Sequence, residues 1–282
     1  MSRKIFIAVV FLFIGISACE SDQHVENDQT GAKLHQLSLE FIASQGQQSG
    51  TERWPPRWFQ IVRADAIGAM AGAGIGAFTG PEGAVVGAVI GGVGASVLAA
   101  VTTSSTSSPI PGTPGTPGVP LACPDNPYDS RGYWHYQTVA ATWTNPSNYL
   151  VAGKFNLTAF NNFQENYLRT NHVFTNAQLD AYYVNATVEW CTKFVADMPN
   201  DPSVTAKSKV DALYAQGKIS LTAKNVMNDY FNSMDAAANL DAFINYSKQA
   251  EKLVAQSSYS QLDKIVILNA MAVGRHGSVY WN

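Results

Sequence analysis

The sequence predicts an all-α protein built from a glycine-rich helical hairpin, a flexible spacer and a C-terminal bundle of five or six helices. After Tyr128, apolar residues recur at intervals of three and four, the spacing of one buried helix face. A stretch rich in Ser, Thr, Pro and Gly separates this region from a 36-residue segment, 66–101, that contains ten glycines. The predicted parts are a signal peptide (1–18), a disordered tether (19–33), a short helix with an aromatic and basic segment (34–64), the hairpin (65–101), the spacer (102–127) and an α-helical domain (128–282).

The chain begins with the pattern of a secretory signal. Arg3 and Lys4 precede an apolar run, residues 5–16, that is too short for a stable membrane span. The next residues, Ile-Ser-Ala-Cys at 16–19, resemble the lipobox of bacterial lipoproteins. The resemblance implies cleavage before Cys19, a diacylglyceride on its thiol and an acylated amino terminus, which together suffice for stable anchoring. Cleavage of a plain signal peptide near Ala18 is the alternative.

The residues after Cys19 favour an envelope location. Removal of residues 1–18 leaves 16 Lys and Arg against 21 Asp and Glu, a net charge of −5. The chain has no basic stripe of the kind that binds nucleic acid, so we expect no nucleic-acid partner. The acidic, polar stretch after the cysteine is typical of a disordered tether and resembles a surface-export signal of some Gram-negative groups. Because Glu20 is not the aspartate associated with inner-membrane retention, we expect the outer membrane, with the leaflet open.

Residues 32–45 are predicted to form one short amphipathic helix, and an aromatic and basic segment follows. Pro55 and Pro56 prevent a helix from running through them. Around them alternate three aromatic residues (Trp54, Trp58 and Phe59) and three arginines (Arg53, Arg57 and Arg63). This mixture beside an apolar segment is typical of a membrane-interface anchor. A small core capped by the two tryptophans is the alternative.

The small residues of the glycine segment fall at every fourth position in two sets. The first set is Gly68, Gly72, Gly76 and Gly80, and the second is Gly83, Gly87, Gly91, Ala95 and Ala99. Each set lies on one helix face. Gly80 suits the end of the first helix and Pro81 the first turn of the next, which predicts a hairpin of 66–80 and 82–101.

Ten glycines cost roughly 8–10 kcal/mol relative to alanine in a helix, so close helix packing must offset them. The segment resembles the glycine-zipper modules of bacterial envelope lipoproteins and of some pore-forming peptides. The packing partner is left open between a membrane, other copies of the chain and a compact soluble hairpin, and disorder of the segment is a further alternative.

Few residues from Cys123 onward suggest chemistry. Cys123 and Cys191 would form a disulfide in an oxidising compartment, or remain two separate thiols. Asp129 and His135 lie in an aromatic-rich run that is either a binding surface or a buried helix face. Arg275 and His276 could meet Asp129 in space, which the sequence leaves open. Nucleophile elbows, phosphate loops and paired catalytic carboxylates are absent from the sequence. We therefore expect no catalytic residue, no cofactor and no metal.

Both ends of the last domain, "NPYDSRGYWH" and "AVGRHGSVYWN", are similar to segments of uncharacterised bacterial lipoproteins that carry a glycine-zipper hairpin; the resemblance implies no activity. We expect a non-enzymatic envelope protein held in membrane lipid by acylated Cys19, whose hairpin mediates membrane association or self-association through its glycine grooves. A membrane-active, bacteriocin-like or pore-forming protein is one alternative. A ligand-binding helical domain or weak hydrolase around His135 is another.

Overall fold

The computed structural model describes residues 29–46, 56–103, 117–184 and 205–281, with the side chains of residues 56–59, 102, 103 and 184 left out. These residues form an α-helical bundle with a two-stranded antiparallel ribbon, and the predicted all-α class is confirmed. The helices in the described residues are α1 (Gln29–Gly46), α2 (Pro56–Gly76), α3 (Pro81–Thr103), α4 (Asp129–Trp143), α5 (Leu157–Thr170), α6 (Asn176–Val184), α7 (Ala206–Ala215), α8 (Leu221–Ala236), α9 (Leu240–Ala255) and α10 (Gln261–Trp281). The ribbon pairs β1 (Leu150–Val151) with β2 (Lys154–Phe155).

Local capping residues set most helix starts. The side-chain oxygens of Asn156, Thr205, Ser220 and Asn239 each accept a hydrogen bond from the backbone N–H three residues ahead. Ser260 does the same for the Asp263 N–H, and its hydroxyl also donates to the Asp263 carboxylate at 2.7 Å. Gly217 has a positive φ of 65° just after α7, the backbone conformation that commonly ends a helix.

The glycine faces of α2 and α3 close on each other. The two helices run antiparallel and turn through a short 3₁₀ segment, Ala77–Thr79, and Gly80, whose φ is +95°. Their facing pairs are Gly68 with Gly91, Gly72 with Gly87, and Gly76 with Gly83. A Cβ atom on Gly72 would lie 1.9 Å from the carbonyl oxygen of Gly87. The backbones therefore touch directly, and each groove is filled by the other arm of the same hairpin.

The outer faces of the hairpin are covered by later helices. All residues of α10 from Ile265 to Trp281 are buried, and α10 packs against α2, α3, α4, α8 and α9. One hydrophobic core contains both Met70 of the hairpin and Phe243 of α9. Two stretches, Gln60–Thr79 and Pro81–Val101, are long and apolar enough to cross a membrane, yet most of each is buried inside the bundle. Such helices are also found in the cores of soluble proteins.

The core is not divided where the sequence suggested a domain boundary. The described end of the spacer, residues 117–127, lies on the bundle: the Gly118 N–H donates to Asp241 at 2.9 Å, and Lys248 donates to the Pro120 carbonyl at 3.1 Å. The physical reason is that the faces of α2 and α3 away from their glycines are still apolar and need a cover. The helices after the spacer provide it.

The helices in the N-terminal part of the chain begin at other residues than expected. Helix α1 begins at Gln29, within the stretch expected to be a tether, and packs on α8, where the Ser38 and Ser233 hydroxyls lie 2.7 Å apart. Pro56 stands at the first position of α2, and Arg63 forms an ion pair with Asp235 of α8. Cys19, Trp54, Arg53 and Cys191 lie outside the described residues, as do the side chains of Arg57, Trp58 and Phe59.

We expect Gly72→Ala to lower the free energy of unfolding by about 3 kcal/mol, because the new methyl group meets backbone atoms that no rotamer change can move. Gly46→Ala is the matched control, since a Cβ on Gly46 meets nothing within 4 Å. It should leave stability unchanged or raise it by up to about 1 kcal/mol. Urea unfolding of the mature chain measures both, and equal effects would contradict the backbone contact.

Candidate functional site

Two groups of buried polar side chains lie along α10. The Asp65 cluster consists of Asp65 on α2, Ser96 on α3, His135 on α4 and Trp281 on α10. The Arg275 cluster consists of Arg275 and His276 on α10, Glu251 and Ser247 on α9, Asp129 at the start of α4, and Asn126 just before it. Burial of a polar group lowers the stability of a fold unless the group is hydrogen-bonded. Such groups are concentrated at functional sites, so both clusters are candidate sites.

In the Asp65 cluster, Ser96 is the central group. Its hydroxyl donates to the Asp65 carboxylate and lies 3.1 Å from Nε2 of His135. The other carboxylate oxygen of Asp65 accepts the Trp281 indole N–H at 3.1 Å. Two glycines make room for these side chains: a Cβ on Gly277 would lie 2.6 Å from Asp65, and one on Gly92 would lie 2.9 Å from His135. The cluster thus joins four helices.

Burial dominates the electrostatics of this cluster. It raises the pKa of Asp65 well above its usual value, since the hydrogen bonds from Ser96 and Trp281 come from neutral groups and offset only part of the lost hydration. Burial also lowers the pKa of His135 to about 3, so the imidazole is neutral at physiological pH. The uncharged form is favoured at both residues, as expected for polar groups inside an apolar core.

The residue types match those of a nucleophilic triad, but the connections do not. In a triad the carboxylate orients the imidazole, and the imidazole takes the proton of an accessible hydroxyl. Here the Asp65 carboxylate bonds to Ser96 and Trp281 instead of His135, and Asp65, Ser96 and His135 are each at most 1% exposed. This arrangement holds four helices together, and its hydroxyl is buried among the described residues.

The Arg275 cluster is a buried ion-pair network. The Arg275 guanidinium donates from Nε and Nη2 to the two oxygens of Glu251 at 2.7 and 2.8 Å, and from Nη2 to Asp129 at 2.5 Å. It also donates to the Leu121 carbonyl. Glu251 accepts further bonds from Ser247 and Asn126, both at 2.7 Å. With Arg275 and Glu251 both fully buried, this two-point pairing satisfies charges that would otherwise be expensive.

Asp129 lies at the edge of this network and bonds to both basic residues of α10. His276 Nε2 lies 3.2 Å from the carboxylate oxygen that Arg275 also contacts. Burial alone would raise the pKa of Asp129, but the hydrogen bonds from His276 and Arg275 outweigh it and lower the pKa to about 2. Burial lowers the pKa of His276, and Asp129 offsets part of that change. Asp129 is therefore ionised at any physiological pH.

The structure brings together three of the residues that the sequence singled out. Asp129, Arg275 and His276 meet, while His135 belongs to the other cluster. Sequence reasoning missed Asp65, Ser96 and Glu251. A usable signal existed for the last: Ser247 and Glu251 are four residues apart on the same helix face as Phe243, Ala250 and Val254, which is otherwise apolar.

Two further predictions concern Cys123 and metal binding. Cys123 is a buried free thiol whose sulfur lies 3.9 Å from the Lys248 carbonyl. Among the described residues, no group of three or more His, Cys, Asp or Glu side chains is arranged to hold a metal ion. Comparison of the chain with protein families, curated proteins and solved structures finds no match.

Arg275→Met should lower the free energy of unfolding by about 3–5 kcal/mol, because it leaves Glu251 buried without its cation. Arg169→Met is the matched control: Arg169 pairs with Glu165 and Asp180 near the surface, so its loss should cost less than about 1 kcal/mol. Adding Glu251→Leu to Arg275→Met should recover part of the stability. Chemical unfolding of the purified variants decides, and equal losses at positions 169 and 275 would contradict the network.

The neutral His135 should make the fold sensitive to acid. Its pKa of about 3 in the folded state is below the unfolded value near 6.5, so stability falls as the pH drops through this window. Between pH 7 and pH 5 the free energy of unfolding of His135→Gln should fall by about 2 kcal/mol less than that of the wild type. Urea midpoints at the two pH values measure this difference.

His172→Gln, a histidine replaced at an exposed position, is the matched control. Asp129 acts in the same direction but below about pH 4, and the raised pKa of Asp65 acts in the opposite direction. An unchanged acid sensitivity in His135→Gln would show that other groups cause it.

Proposed function

We propose that this protein is a non-enzymatic lipoprotein of the bacterial envelope, anchored by acylated Cys19 and displaying an α-helical bundle at a membrane surface. The glycine hairpin acts in it as the central packing unit of the bundle. The observation that carries the proposal is the burial of the hairpin: its glycine faces are closed on each other, and its apolar faces are covered by later helices. With the hairpin sequestered in this way, attachment to the membrane falls to the lipid on Cys19.

The polar clusters support the non-enzymatic part of the proposal. The charged groups of the Arg275 cluster pair with one another, and the polar groups of the Asp65 cluster hydrogen-bond to one another, within the bundle. A catalytic group must touch its substrate, whereas Ser96, His135 and Glu251 are at most 1% exposed. A structural role explains both clusters: they fix the position of α10 against its neighbours. Buried polar groups specify helix positions in this way in some folds.

A second function has its own supporting observation, the length and apolar character of the two hairpin helices. In that alternative, the hairpin leaves the bundle and enters lipid or pairs with copies of itself. The cost is specific: α10 must separate from both helices, and the Asp65 cluster, which joins α2 and α3 to α4 and α10, must break. Self-association through the same grooves also requires the two arms to part.

Fatty-acid labelling of Cys19→Ala tests the anchor. Wild type should incorporate radiolabelled fatty acid and pellet with membranes, and Cys19→Ala should lose both properties because the acyl chains provide the attachment. Cys123→Ala is the matched control, a cysteine replaced inside the bundle, and should keep the label. Unchanged labelling of Cys19→Ala would contradict the proposal.

Carbonate extraction of the same Cys19→Ala variant separates the two functions. Under the proposal, the unanchored protein is found in the soluble fraction. If it stays with carbonate-washed membranes, the hairpin inserts by itself, and the second function is favoured.

A further inference from the structure

The hairpin turn lies at the same end of the bundle as the start of α8. Lys218, three residues before α8, places its ammonium over the ring of Phe78 in the hairpin turn, 5.1 Å from the ring centre. A Cβ on Gly74, near the end of α2, would lie 2.1 Å from the Lys218 carbonyl oxygen. Helix α10 also begins here, since the Ser220 hydroxyl donates to Asp263 at 2.5 Å.

Helix α1 runs parallel to α8, so its first residue points to that same end. Along the two helices the contacts advance together: His35 with Asp229 at 3.0 Å, Ser38 with Ser233 at 2.7 Å, and Gln45 with the Ala238 N–H at 3.1 Å. Gln29 precedes His35 by six residues, about 9 Å along a helix. This distance brings the start of α1 close to the level of the start of α8.

The length of chain between Gln29 and the lipidated cysteine limits which end of the bundle can reach the membrane. Cys19 precedes Gln29 by ten residues, which span at most about 36 Å when fully extended. Helix α2, with 21 residues, is itself about 32 Å long. The membrane that holds Cys19 is therefore within easy reach of the hairpin-turn end. Contact with the opposite end would require an almost fully stretched tether running the length of the bundle.

The side chains at the hairpin-turn end suit a membrane interface. Phe78 is 78% exposed, more than the other large apolar side chains of the described residues, and Leu262 at the start of α10 is 45% exposed. Lys218 adds an ammonium beside the aromatic ring. Lysine beside exposed Phe and Leu side chains is typical of protein surfaces that lie in the lipid interface. We call Phe78, Lys218 and Leu262 the tip surface.

We infer that the tip surface docks on the lipid bilayer that holds acylated Cys19, with the Phe78 ring in the headgroup region. This inference rests on the proposed lipid anchor and adds a fixed orientation to it. The folded bundle stands on the membrane with the hairpin turn down and the β1–β2 ribbon away from it. The ribbon marks the far end because Phe155 packs on Ala95 and Leu98, in the half of α3 away from the turn.

Photocrosslinking of the acylated full chain in membranes tests the orientation. A benzophenone-bearing phenylalanine replaces, in separate variants, Phe78, Leu262 or Val151. Val151 is the matched control, since it is 53% exposed on the ribbon. Lipid adducts at positions 78 and 262 should exceed those at 151 about tenfold, the ratio expected when burial of one large apolar side chain favours one orientation. The thermal unfolding of each variant reports that the bundle is intact.

The other outcomes are distinguishable. Equal adducts at 78, 262 and 151 in acylated protein would overturn the docking and leave the anchor in place. Adducts at 78 without adducts at 262 would mean that the hairpin alone enters lipid, which also overturns docking of the folded bundle. Absence of fatty-acid label on the same samples would overturn the anchor itself, and the orientation with it.

Discussion

Direct contact between the backbones of α2 and α3 is the constraint on which the rest of the structure depends. Side chains at Gly72 or Gly87 would push the two helices apart. Helix α10, which packs against both, would then lose its packing surface. The glycines are unfavourable for each helix taken alone. They are compensated by dispersion contacts between closely packed backbones and by the apolar surface that the whole bundle buries over the hairpin.

The buried polar clusters complement this apolar packing. Close-packed alanine, valine and glycine surfaces fit together in several registers, because they have few distinctive shapes. Hydrogen bonds between Asp65, Ser96 and Trp281, and the pairing of Arg275 with Glu251, are satisfied in one arrangement of the helices. Desolvation of these groups is unfavourable, but their hydrogen bonds favour a single position of α10 in the bundle.

The sequence was sufficient for the helical class, for the turn at Gly80 and Pro81, and for local signals such as the Asn239 cap, because these depend on neighbouring residues. It was insufficient for the location of the hairpin. Glycines at every fourth position predict a groove on the helix, but they do not indicate which partner fills it. A Pro-rich stretch likewise has the same composition whether or not its end packs on a bundle. The polar clusters join residues far apart in the chain, such as Asp65 and Trp281, so pairwise spacing alone could not find them.

The position of α10 in the sequence has a consequence for biogenesis. The hairpin of α2 and α3 is complete at Thr103, whereas the helix that covers it, α10, begins at Gln261. A chain that is synthesised amino terminus first therefore presents its most apolar helices long before their cover is available. Such long-range closure is slow, and the uncovered hairpin is prone to aggregation during that interval.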